Sequence, residues 1–206
     1  MDRKCINIVN ISGIVSEFVK FSHISESGEN MVRGYIMAKR LSGKVDRVPV
    51  ICSEEIGLEK YVGKNVEIRG RYASHDWRDK KGKRHLMINV MVTNIRYSNM
   101  VMDKNSFSFE GFVVSAPKKF DTLKGIACEL KIAINGERYS EYVPAISWNK
   151  VAESALRLKV GDKVYVKSRL QSREFGSNRI AYEAAISTLI KREDNDEKSN
   201  FKIHAS

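Results

Sequence analysis

The sequence predicts an all-β protein made of two copies of one small Greek-key barrel, each copy holding five strands and one short helix. Three observations lead to that class: an internal repeat, the same order of strand-like segments in each copy, and in–out alternation along the fourth strand of both. In the repeat, Ile11–Val15 (ISGIV) recurs as Phe109–Val113 (FEGFV), 98 positions on. Val48–Ile51 recurs as Val143–Ile146 at an offset of 95, and Val62–Val66 as Val160–Val164 at 98 again. Arg71–Trp77 matches Arg169–Phe175 at that same offset. Small changes of offset fall where loops belong, so one domain type occurs twice.

The elements follow in order. In repeat 1, strands are expected near Ile6–Phe21, Met31–Arg40 and Val45–Cys52, then a short helix, then strands near Asn65–His75 and Arg84–Ile95. Ser27-Gly28 and Ser42-Gly43 supply the early turns. Repeat 2 shows strands near Ser108–Ala116, Ile126–Ile134 and Ser140–Ser147, with Asn135-Gly136 as a hairpin signal between two apolar runs. Val151, Ala152, Ala155 and Leu156 stand at helical spacing over Asn149–Leu158, with Asn149 placed to cap that helix. Strands near Asp162–Arg173 and Arg179–Ile190 complete the copy. Three strands, a helix and two strands is the order of the OB fold.

Length and composition fit. A chain of 206 residues holds two domains of about 100 residues each. Hydrophobic residues at 42% are enough for packed cores, and three prolines with thirteen glycines leave no long flexible linker. The expected division is 1–104 for the first barrel and 105–191 for the second, with 192–206 a short flexible tail. Cys5, Cys52 and Cys128 are odd in number and widely spaced, which argues against a disulfide framework and against a zinc site. There is no signal-peptide core and no apolar run long enough for a membrane span. A reducing cytoplasm is expected, with no membrane partner.

The formal charge is +11 and the isoelectric point about 9.6, which favours a polyanionic partner. Up to Lys104 there are 19 Lys and Arg against 12 Asp and Glu, and after it 17 against 13, so both copies are basic. The fourth strands show where that charge is directed. In repeat 2, Val164, Val166, Ser168 and Leu170 alternate with Lys163, Tyr165, Lys167, Arg169, Gln171, Arg173 and Phe175. In repeat 1, Val66, Ile68, Gly70 and Tyr72 alternate with Arg69, Arg71, Ala73, His75 and Trp77. Both basic faces end in a ring. In repeat 1 a cation-rich hairpin follows, with Arg78, Lys80, Lys81, Lys83 and Arg84. Cations answer phosphates, and rings stack on unpaired bases with little sequence preference. Trp148, with Tyr142, Pro144 and Ile146 at its own parity, is a second platform, or else a cap packed on the following helix. Repeat 1 has Ser53 at the equivalent place, so the copies are not expected to bind identically. Tyr35 and Tyr139 are weaker candidates, better suited to packing.

At these residues the chain resembles the bacterial single-stranded DNA-binding protein (SSB) family. The match runs through Tyr142–Glu153 (YVPAISWNKVAE), Leu158–Val166 (LKVGDKVYV) and Ser168–Phe175 (SRLQSREF), with Asn149 and Ser168 where the family usually has glycine. Ile11–Val15 and Val48–Ile51 look more like the primosomal replication protein N branch. The resemblance covers roughly residues 6–190. It implies base-stacking positions at Trp148 and Phe175, phosphates near Arg169 and Arg173, and single-stranded DNA as the partner in replication, recombination, repair or mobile-element transfer. It also implies a homodimer, which would supply four barrels, and a nucleoid-associated location. The family's acidic tail ending in Pro-Phe is missing: the chain closes Lys191–Ser206 (KREDNDEKSNFKIHAS), so recruitment of replication or repair proteins through such a tip is not expected.

His23, His75, His85 and His204 form no metal-binding spacing, and there is no phosphate loop and no G-x-S-x-G. The expectation is a binding protein without cofactor or metal, not an enzyme. Two other readings stay open: an adaptor for a primosome or replisome partner, and binding of single-stranded RNA.

Overall fold

Apolar side chains at every second position close the first half of the chain into a barrel. Its strands are β1 (Asn7–Val15), β2 (Lys20–Ile24), β3 (Asn30–Lys39), β4 (Val45–Ser53), β5 (Asn65–Arg78) and β6 (Arg84–Tyr97). The second half repeats them as β7 (Asn105–Val113), β8 (Lys118–Thr122), β9 (Gly125–Asn135), β10 (Ser140–Trp148), β11 (Lys163–Phe175) and β12 (Arg179–Arg192), with α1 (Asn149–Ala155) after β10. The computed structural model describes residues 6–17, 19–78, 81–99, 102–123, 125–136, 139–175 and 179–192, except for the side chains of Trp77, Phe175 and Arg179. The expected tail, apart from Arg192, therefore lies outside the described residues.

In each half the first strand touches two neighbours and so shuts the ring. β1 pairs with β5 along most of its length and with β3 at its end, through Ile14–Met37 and Val15–Ile36. β7 does the same with β11 and with β9, through Phe112–Ala133 and Val113–Ile132. The third and fifth barrel strands run parallel in both halves, with Val50 opposite Val90 and Ala145 opposite Ala184. This is the OB topology, twice. Close approach at the closure needs a missing side chain: a Cβ on Gly13 would collide with the Met37 carbonyl, and one on its equivalent Gly111 with the Ala133 carbonyl.

Some local expectations change. The first strand, expected as one run over Ile6–Phe21, is two pieces, because β1 leaves β5 and the chain rejoins β3 as β2. The helix expected in repeat 1 is a pair of 3₁₀ turns, Glu54–Ile56 and Leu58–Tyr61, interrupted by Gly57 at φ 69°. Asn149 does not cap α1; it is the first helical residue, at φ 50°, and Trp148 holds the cap position. The edge strand β8 has every side chain exposed, so no apolar alternation marked it in advance.

The barrels are joined strand to strand. β1 and β7 pair antiparallel, Asn7 opposite Phe109, Val9 opposite Phe107 and Ile11 opposite Asn105. At the repeat offset the pair Asn7–Phe109 maps onto Asn105–Ile11 and Val9 faces its own equivalent, so a pseudo-twofold axis passes between Val9 and Phe107. Its hydrogen bonds come in matched pairs. The Asn7 carboxamide donates to Tyr72 O and accepts from Tyr72 N, both at 2.9 Å. The Asn105 carboxamide does the same with Leu170, at 2.7 and 2.9 Å. Ser12 N donates to Lys104 O at 2.7 Å, and Glu110 N to Ile6 O at 2.9 Å. Rings fill the seam: Tyr72 stacks on Phe107 at 5.1 Å between centroids, and Phe107 on Phe109 at 4.5 Å. One apolar cluster therefore runs through both barrels.

A side-chain amide that stands in for a peptide group leaves two backbone groups unpaired when it is removed. Asn7→Ala and Asn105→Ala should each cost about 2 kcal/mol, because every buried polar group left without a partner costs roughly 1–3 kcal/mol. Urea unfolding should show the two variants shifted alike, in a single transition.

Candidate nucleic-acid interface

The fourth strands place their side chains as the alternation requires. Val66, Ile68, Gly70 and Tyr72 are buried, as are Val164, Val166, Ser168 and Leu170, while Arg69, Arg71, His75, Lys167, Arg169 and Arg173 are exposed. Cross-strand register then shows which residues share the outward face with them.

In repeat 2 that face reads in rows. One row is Phe120 on β8, Ala127 on β9 and Trp148 on β10, directly opposite one another. The next is Lys118, Glu129, Ile146, Ala185 and Arg169, across five of its strands. Beyond it lie Lys131 opposite Pro144, Gln171 opposite Glu183, Tyr142 opposite Ala133, and Arg173 opposite Ala181. The floor is made of small or covered residues, with Ala127, Ala185 and Ile146 packed together as their own cluster. Trp148 and Phe120 flank Ala127, which is only 2% exposed, yet they remain 40% and 43% exposed themselves. Each ring residue stands directly across from the alanine while much of its surface stays open. Glu183 adds little repulsion to this face. It is buried, accepts from Gln171 Nε2 at 2.7 Å and lies 3.9 Å from Arg173 Nε.

Repeat 1 carries the same frame with other contents. Its long row is Lys20, Arg33, Ile51, Met91 and Arg71. Met91 and Met87 stand where repeat 2 has Ala185 and Ala181, Ser53 stands where it has Trp148, and, past an irregularity in β2, His23 stands where it has Phe120. One pairing is kept with its members exchanged. Arg47 on β4 lies over the Tyr35 ring on β3, 3.8 Å from its centroid. In repeat 2 the cation is Lys131 on β9 and the ring is Tyr142 on β10, 4.9 Å apart. Tyr35 therefore does pack, but beneath a guanidinium on the outward face.

The two faces meet because each long hairpin crosses onto the other barrel. Ser74 donates to Glu141 Oε2 through both N and Oγ, the latter at 2.9 Å, and its Oγ accepts from Tyr142 N at 2.8 Å. Ser172, its equivalent, accepts from Arg47 N at 2.9 Å and donates from its own N to Asp46 Oδ1 at 3.0 Å. Tyr72 Oη donates to Tyr142 O at 2.7 Å, and burial, followed by the Glu141 charge, holds that hydroxyl's pKa well above its ordinary value. Arg71 lies 3.7 Å from Glu141, which brings the cations of β5 alongside Tyr142. Arg169 sits at the opposite crossing, its pKa lowered by burial and then by Arg40.

The hairpin cations are less uniformly available than their sequence suggests. Arg84 forms an ion pair with Asp76, whose carboxyl it holds below its usual range, and Arg78 donates to Gly82 O at 3.0 Å. Lys81 and Lys83 are exposed. Lys80 and the side chains of Trp77 and Phe175 lie outside the described residues. Sequence reasoning missed Phe120, Lys118, Lys131 and Arg33; only the pairing of β8 and β9, and of β3 in repeat 1, with their neighbours puts them on these faces. Among the described residues, no three His, Cys, Asp or Glu side chains gather as a metal ion would need, and no helix is long and apolar enough to cross a membrane.

No protein-family model and no curated protein matches the chain. Its fold does match solved structures. The wild-type single-stranded DNA-binding protein from Thermus aquaticus aligns over 96% of this chain and 98% of its own, with a TM-score of 0.71 at 18% identity. A deletion variant of that protein aligns over 96% and 99%, with a TM-score of 0.72 at 18% identity. The tandem barrel arrangement, not the sequence, is what they share.

The cations around the open ring set its local potential. In a Trp77→Phe variant, where Trp148 alone fluoresces as tryptophan, iodide should quench more strongly than caesium. The difference should shrink as added salt screens the lysines.

Proposed function

We propose that this chain binds single-stranded DNA with little sequence preference, laying the strand over the outward faces of both barrels. Bases stack on Trp148, Phe120 and Tyr142, and phosphates meet Lys118, Lys131, Lys167, Arg169 and Arg173 in repeat 2. In repeat 1 the phosphates meet Arg69 and Arg71, with His75 beside them and Lys80, Lys81, Lys83, Arg78 and Arg84 on the hairpin. Trp77 and Phe175, at the ends of the basic strand faces, extend the stacking surface. One observation carries the reading: two partly open rings directly opposite a buried alanine, next to a row that holds Lys118 and Arg169, on a sheet face whose floor is small or covered side chains. A solvated face has no use for such rings, whereas stacking supplies about 1–3 kcal/mol per base without regard to its identity.

The protein acts by binding and holds its partner without chemical change. The fold shared with a protein named for single-stranded DNA binding supports the choice of partner. Residues 1–104 and 105–191 form the two binding units, and a homodimer would bring four barrels together. Work on exposed single strands during replication, recombination, repair or mobile-element transfer fits such a surface.

Titration of oligo-dT over a salt series tests the proposal. If about six phosphates are neutralised, the logarithm of the binding constant should fall with log salt at a slope near −4. Trp148→Ala and Phe120→Ala should each weaken binding by roughly tenfold, within the 1–3 kcal/mol expected per stacked base. Salt-insensitive binding, or full affinity in both variants, would overturn the reading. Preference for oligo-U over oligo-dT would move it to RNA.

A further inference from the structure

A groove of about 270 Å³ opens at the seam between the barrels. One wall belongs to the outward face of repeat 1: Arg33 and Tyr35 on β3, Pro49 on β4, His85 and Met87 on β6. The other wall includes Tyr182 on β12, carried across by the second repeat's hairpin. The volume falls just below the range that houses a drug-sized ligand and suits one base with part of its sugar. Pro49 and Met87 add apolar surface to the lining beside the two tyrosines. The Arg33 Nε is buried and has no hydrogen-bond partner, so a charged group stands at the groove with an unanswered donor. A phosphate oxygen is the acceptor that such a guanidinium takes best.

We propose that this groove holds one nucleotide of the bound strand at the crossover between the two faces, its base against Tyr35 and Tyr182 and its phosphate on Arg33. The proposal rests on the reading of the chain as a single-strand binder and adds a site to it. Arg33 stands in the same cross-strand row as Arg71, so the groove continues the cationic face of repeat 1. Tyr182 faces Ser172, on the side of the second repeat's hairpin that is turned toward β4 of repeat 1, so it closes the groove from across the seam. A strand leaving the face of repeat 1 reaches the groove at the seam. Burial, and then Tyr35, push the Tyr182 pKa up, so its hydroxyl stays a donor at neutral pH. The pseudo-twofold mate of the groove is not equivalent. The registers put Glu129 in the place of Arg33 and Ile88 in the place of Tyr182, which removes both the phosphate partner and the second ring. The crossover is built on one side only.

Fluorescence polarisation of the full chain with oligo-dT of increasing length, for wild type, Arg33→Gln and Tyr182→Leu, tests the site. On oligonucleotides long enough to span both barrels, each variant should bind about tenfold more weakly, and Arg33→Gln should lower the salt slope by about 0.7. On oligonucleotides short enough for one face alone, both should match wild type. Wild-type affinity of both variants at every length overturns the site, as does an equal loss at short and long lengths. If wild type itself fails to bind oligo-dT, the single-strand reading fails instead. Should Tyr182→Leu melt early, Arg33→Gln decides the question by itself, because its side chain is outside the apolar core.

Discussion

The antiparallel pairing of β1 with β7 is the constraint on which the rest of the molecule depends. Each of these strands must close its own barrel and also pair with the other, so neither can complete its ladder with backbone alone. Where β1 diverges from β5, the Asn7 carboxamide takes over the two bonds at Tyr72, and where β7 diverges from β11, Asn105 does so at Leu170. With the ladder carried by side chains at those points, the seam can be filled by Tyr72, Phe107 and Phe109 without stranding polar groups.

That junction determines where the long hairpins go. β5 and β11 run beyond their own barrels and come to rest on β10 and β4 of the other, held by Ser74 on Glu141 and Tyr142 and by Ser172 on Asp46 and Arg47. Asp46 is fully buried and tolerable there because Arg40 grips both of its oxygens, at 2.5 and 2.7 Å, while Ser172 N supplies a third bond. Two outward faces that would otherwise lie on separate domains are brought edge to edge. A partner that lies along one of them meets the other without a flexible gap.

Within this symmetric frame the contents are not symmetric. Cation and ring have changed strands between Tyr35–Arg47 and Lys131–Tyr142, and the contact survives because diagonal neighbours on adjacent strands are within reach either way round. Alanines in repeat 2 become methionines in repeat 1, and the Trp148–Phe120 shelf becomes Ser53 and His23. Repeat 2 therefore offers a shallow, ring-bearing surface, and repeat 1 offers a fuller, softer one with a groove at its margin.

Much of this was legible from residue order alone. Alternation at every second position is a local property, so the buried and outward sides of β5 and β11 follow from the sequence without any knowledge of their neighbours. The duplication follows likewise, since two copies at a constant offset need no structure to be seen. What the sequence could not state is what lies opposite what. Phe120 sits in an exposed five-residue edge strand with no apolar period, and it becomes a companion of Trp148 only because Ala127 pairs with both. Arg84 reads as a cation of the hairpin, but the turn returns it to Asp76. The groove at Arg33 and Tyr182 joins residues nearly 150 positions apart, through a crossing of hairpins that no local pattern encodes. Composition and periodicity are set by each residue's own backbone, whereas register and the seam are set by long-range pairing, and the proposed binding surface takes its shape from that pairing.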